Sequence, residues 1–150
     1  MRKSIKGLVI LGVSSLILTG CGKQPQTFAE AMYGKSAEES ASMALKQIKF
    51  PVTYKNGRVL ENVTLDSNDK TMVVYHYKET KLVPKAGKEN VYLGQEETLN
   101  EPNLKKSIVS VCDRMYPYFQ NGAKNKYINK WSNGKVYQEY MLSKEVCDNL

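Results

Sequence analysis

One histidine, one tryptophan and three cysteines among 150 residues leave little material for metal or imidazole chemistry. A zinc site wants about four nitrogen or sulfur ligands at close spacing, and His76 has no such company. No Gly-x-Ser-x-Gly elbow, His-Glu zinc motif or phosphate-cradling glycine loop occurs, and those are the local geometries that such chemistries require. The expectation is a protein that is not an enzyme, with no catalytic residue and no metal. His76, in an expected strand without an identifiable partner, reads as structural. The lysines are scattered, with no basic stripe of the kind that tracks a nucleic-acid backbone. No apolar run approaches the roughly 20 residues of a membrane-spanning helix.

What is present begins at the amino terminus. Arg2, Lys3 and Lys6 precede Gly7 to Leu18, an apolar run of 12 residues. A basic start and a short apolar run form a secretory leader, which takes no part in the fold. The run ends in Leu18-Thr19-Gly20-Cys21. This tetrapeptide resembles the bacterial lipobox, where small residues allow cleavage just before the cysteine. The resemblance implies that residues 1–20 are a lipoprotein signal peptide and that Cys21 carries a diacylglycerol and an amide-linked acyl chain. That covalent lipid is the one prosthetic group expected. More than one chain anchors stably, at about 0.8 kcal/mol per buried methylene. Position +2 is Gly22; Asp there resembles an inner-membrane retention signal, so its absence implies the outer membrane, facing the periplasm.

The leader takes three of the 22 basic residues and none of the 15 acids, leaving 19 against 15 and a mild +4. Residues 21–35 are polar and rich in small side chains and read as a flexible tether; Phe28, Met32 and Tyr33 within it suit a short helical turn or docking on the domain. Residues 36–150 suit one modest domain. With Cys21 lipidated, Cys112 and Cys147 remain, and an oxidising compartment favours a disulfide between them.

Ser36-Ala37-Glu38-Glu39 is a capping box, after which Ala37, Ala41, Ala44, Leu45 and Ile48 recur at helical spacing and stop before Phe50-Pro51. Val59 to Leu65 and Thr71 to Tyr77 read as strands around an Asp66–Asp69 turn, with Val52 to Tyr54 as a short strand before Asn56-Gly57. Lys78 to Glu101 reads as a long charged loop whose Val91-Tyr92-Leu93 suits docking. Asn100 and Pro102 open a second helix with Leu104, Ile108, Val111, Cys112 and Met115 on one stripe; Pro117 and Gly122 are expected to end it. Lys124 to Trp131 and Val136 to Leu142 flank Asn133-Gly134, a strong hairpin signal in which both turn residues are expected at positive φ. The fold class is α+β in the order αββαββ, with a four-stranded, mainly antiparallel sheet, two helices on one face and one disulfide.

The lipobox, a first helix running into Phe50-Pro51, a hairpin, a helix carrying Cys112, and a second hairpin followed by Cys147 together resemble the β-type pilotins of type II secretion systems. The resemblance covers about residues 36–148. It implies a lipid-anchored outer-membrane protein that binds the C-terminal segment of a secretin subunit and assists its targeting and assembly. An amphipathic peptide helix would lie on an apolar surface, for which Tyr75, Tyr77, Tyr127 and Trp131 are the candidates. The alternative is a protective lipoprotein, a phage or plasmid exclusion factor or a toxin-immunity protein, blocking one envelope partner.

Overall fold

The computed structural model describes residues 26–150 apart from 82–83, 85 and 88–89. The leader and Cys21 lie outside the described residues. Ten elements follow in chain order: α1 (Phe28–Met32), α2 (Ala37–Gln47), β1 (Val52–Thr53), β2 (Arg58–Leu65), β3 (Met72–Glu79), α3 (Gln95–Asn100), α4 (Pro102–Gln120), β4 (Lys124–Lys130), β5 (Val136–Leu142) and α5 (Lys144–Asp148). The sheet has five strands in spatial order β1-β2-β3-β4-β5, not four. It is mixed: β3 and β4 pair in parallel at its centre, and the other neighbours are antiparallel. Five helices among the described residues replace the two expected, because α1, α3 and α5 are too short to show a helical period.

Local chemistry builds the two long helices. Ser36 Oγ accepts from the Glu39 amide at 3.2 Å while Glu39 accepts from the Ser36 amide at 2.8 Å, closing the reciprocal cap of α2. Its small face, with Ser40 and Ala41 fully buried, allows close packing. Helix α4 begins with Pro102 at its first position, where a missing N–H costs nothing. It then runs through Pro117 to Gln120, against the expectation that Pro117 stops it. Tyr118 and Phe119 are both fully buried, and their packing holds the last turn despite the lost hydrogen bond. Gly122, at φ +90°, makes the exit.

Val73, Tyr75 and Tyr77 of β3 share one buried cluster with Ala41 and Ala44 of α2 and Ile108, Cys112 and Phe119 of α4. Both long helices therefore cover the same face of the sheet. Within the segment 21–35 read as a tether, residues 28–32 form helix α1. Helix α1 carries its own capping box at Thr27, and Met32 is buried in the domain. Asn121 Nδ2 donates to Met32 O at 2.6 Å and to Ser40 Oγ at 3.0 Å, tying α1 and α2 to the end of α4.

The expected loop from Lys78 to Glu101 is structured at both ends, by β3 and by α3. Between them Leu93 bridges to β5: its amide donates to Tyr137 O at 2.8 Å and its carbonyl accepts from Glu139 N at 3.0 Å. The side-chain amide of Gln95 extends the seam, accepting from Met141 N at 2.6 Å and donating to Met141 O at 2.8 Å. In the β4–β5 turn only Gly134 has positive φ; Asn133 accepts the Lys135 amide on its side chain at 2.9 Å. The hairpin closes one pair wider, on the Trp131 N–H to Lys135 O bond.

On the opposite face Lys124–Asp69 at 2.9 Å and Lys126–Glu139 at 2.7 Å pair charge across partly exposed positions. Hydrogen bonds from Thr71 and then Lys124 pull the Asp69 carboxyl from an ordinary 3.8 to about 2. A depressed carboxyl stabilises the fold above its unfolded value and loses that contribution as pH falls through its folded one. Asp69→Asn is expected to abolish the part of the acid-unfolding curve between pH of about 4 and 2 that this carboxyl supplies. Urea midpoints for both proteins across that window are the check; parallel pH profiles would contradict it.

Candidate functional site

The cleft lies at one end of the helix-covered face, where the sheet extends beside the amino-terminal half of α4. Its volume is about 270 Å³, and Asn56, Arg58, Glu79, Leu104, Ile108, Tyr137, Gln138 and Tyr140 line it. The residues come from the β1–β2 turn, from β2, β3 and β5, and from α4. Leu104 and Ile108 are a helical turn apart and form the apolar wall. The strands supply the polar floor.

Arg58 organises that floor. Its guanidinium lies over the Tyr77 ring, 3.9 Å from the centroid, a cation–π contact that fixes a flexible side chain. One terminal nitrogen donates to Asn129 Oδ1, and Nε stands 3.7 Å from Glu79 Oε1. The Glu79 residue is itself buried and accepts from the Tyr137 hydroxyl at 3.2 Å. Asn129 Nδ2 then donates to Gln138 Oε1 at 2.8 Å. A line of polar side chains thus crosses four strands, from Tyr137 through Glu79, Arg58 and Asn129 to Gln138. Burial raises the Tyr137 hydroxyl above its usual range and the Glu79 charge adds to the shift; burial also raises Tyr140. Both phenols are therefore neutral donors at any physiological pH.

The four sequence-predicted aromatic residues occupy other places. Tyr75 and Tyr77 are buried in the core, which removes them from the accessible surface. Tyr127 is partly buried and stacks between Tyr75 at 5.2 Å and Tyr140 at 4.9 Å. Trp131 stacks on Tyr137 at 4.0 Å. Tyr77, Tyr127 and Trp131 each touch a residue that lines the cleft, so they buttress it from behind and from its rim. Arg58, Glu79, Gln138 and Tyr140 were not singled out in the sequence. The signal available was polar residues at inward strand positions: Asn125 and Asn129 alternate with Tyr127, and both are buried.

Cys112 and Cys147 are joined, with Cα atoms 5.5 Å apart, pinning α5 to α4 one turn beyond Ile108. Among the described residues no cluster of three His, Cys, Asp or Glu side chains is placed to hold a metal, and no helix is long and apolar enough to cross a membrane.

No family model matches the sequence, and no curated protein is significantly similar to it. Three solved structures resemble the fold. The pilotin EpsS of the Vibrio vulnificus type 2 secretion system is 15% identical, with 74% of this chain and 87% of that one covered at a TM-score of 0.43. The type II secretion pilotin AspS of Vibrio cholerae is 14% identical, covers 74% and 88%, and scores 0.45. A Pseudomonas aeruginosa protein described only as secreted is 12% identical, covers 81% and 98%, and scores 0.50. At these identities the likeness concerns the fold alone.

Proposed function

We propose that this chain is a pilotin-like lipoprotein, held at the outer membrane through Cys21, whose role is binding and not catalysis. The occupant of its cleft would be the C-terminal segment of a secretin subunit. The observation that carries the reading is the cleft itself: an apolar wall from a disulfide-pinned helix faces a polar floor, and a peptide helix with one apolar side needs both. The lipobox and the order of helices, hairpins and cysteines support it.

Two results test it. Deleting the gene is expected to leave the secretin as monomers, or as multimers in the inner membrane, when membrane fractions are separated; normal outer-membrane multimers in the deletion strain would overturn the proposal. Leu104, partly exposed on the cleft wall, is the anchor to alter. Leu104→Ser is expected to weaken peptide binding about tenfold, the ordinary loss on truncating an interface anchor. Leu104 is only partly buried where it packs against the core, so the variant should lose some thermal stability and still be folded at the titration temperature. Isothermal titration with the secretin C-terminal peptide reads the first quantity and calorimetric unfolding the second.

A further inference from the structure

The cleft floor presents donors that its own side chains leave unused, and this follows from one residue. Arginine only donates. Asn129 must therefore turn Oδ1 toward Arg58, which leaves its Nδ2 to donate to Gln138 Oε1. The same logic moves one step further: with Oε1 accepting, Gln138 is left with its Nε2 hydrogens, and these meet no acceptor among the described residues. Gln138 is 7% exposed and lines the cleft. Asn56 Oδ1 accepts the Arg58 amide at 3.0 Å, so its side-chain nitrogen is likewise a donor. Arg58 Nε is buried with no hydrogen-bond partner, since Glu79 at 3.7 Å is beyond bonding distance.

Two side-chain amide donors thus border one cleft together with the part-exposed guanidinium of Arg58, beside Glu79, whose charge offsets that of Arg58. A second full negative charge would be repelled by Glu79. Carbonyl oxygens, which carry only partial charge, fit better. A cavity of about 270 Å³ lies just below the roughly 300–1,000 Å³ of small-molecule pockets, and is room for the end of a chain. The last four carbonyls of a helix have no intrahelical partner and form the negative pole of its dipole.

We propose that the cleft caps the carboxyl-terminal end of an amphipathic helix, with Asn56, Arg58 and Gln138 donating to its orphan carbonyls and Leu104 and Ile108 meeting its apolar side. This inference takes its occupant from the secretin reading above and adds the direction in which the helix enters.

The test uses the mature lipidated protein in detergent micelles and a peptide of about 20 residues, long enough for a stable helix once bound, from the carboxyl terminus of the secretin encoded in the same genome. A nitroxide is placed near one end of the peptide or the other, and the side-chain amide signals of Asn56 and Gln138 are followed by NMR. The carboxyl-end label is expected to broaden both signals and the amino-end label neither. Gln138→Glu keeps the acceptor for Asn129 and replaces the vacant donor with a charged acceptor. It is expected to weaken binding at least tenfold and to lower the thermal midpoint, because the new charge is nearly buried near Glu79. Asn56→Asp, the same exchange at an exposed position that keeps the acceptor for the Arg58 amide, is expected to weaken binding too, with the midpoint within a few degrees of the parent. Broadening from the amino-end label, from neither label, or unchanged affinity of either variant overturns the inference and leaves the secretin reading standing. A wild-type protein that does not bind the peptide overturns both.

Discussion

Phe119→Ala is expected to lower the free energy of unfolding by about 3–5 kcal/mol, the range for truncating a fully buried aromatic residue. Phe119 has no exposed surface and packs edge-on against Tyr118 with centroids 5.4 Å apart. It sits in the last turn of α4, where Pro117 has already removed one backbone hydrogen bond. Cavity formation and helix fraying therefore act at the same place. Small domains have about 5–15 kcal/mol in total, so the variant should be close to unfolded at growth temperature. Urea unfolding measures the loss. Tyr116→Ala is the control: Tyr116 lies in the same helix but is exposed, and its loss should stay under about 1 kcal/mol. Similar losses for both would mean that the last turn of α4 does not pack as described.

Replacing both Cys112 and Cys147 with alanine is expected to cost about 4 kcal/mol, from the 35-residue separation of the joined cysteines and the chain-entropy relation. The native state should also change locally. Helix α5 has no buried residue. Beside the disulfide, Val146 packs partly buried against the core, and Tyr116 of α4 contacts Asp148 and Lys144. Amide exchange in α5 should accelerate in the double variant well beyond exchange in β3. A stability loss under about 1 kcal/mol, or protected α5 amides, would show that packing alone holds the carboxyl terminus.

Both hairpins, the α2 cap and the inward position of Cys112 were legible in the sequence, because each depends on residues a few positions apart. Ser36 and Glu39 satisfy each other's backbone, and period-two alternation in Val73, Tyr75 and Tyr77 marks one face. The parallel seam between β3 and β4 was not legible. Nothing local distinguishes Tyr75 beside Tyr127 from any other strand order; that choice is made by the crossover through α3 and α4. Helix α1 was legible as a short turn at Phe28 and Met32; the other two short helices were missed for a related reason: α3 opens at Gly94 with no side-chain cap, and α5 is five residues long. The cleft was the least visible of all. Its floor takes single polar residues from separate strands, each looking like an isolated blemish on an apolar face, and only pairing in space turns Arg58, Glu79, Asn129 and Gln138 into one network.

The short bridge at Leu93 has a consequence for crowding. A free strand margin is an invitation to a neighbouring chain, and proteins blunt it by covering or shortening. Here one margin is sealed by Leu93 and by the Gln95 amide standing in for a backbone unit; on the other, β1 covers only Val59 and Leu60 of β2, and the rest of that margin is blunted by the bulge between Leu60 and Asn62 and by the charge of Glu61. Copies of such a molecule crowded side by side have few free strand groups through which to zipper into ribbons.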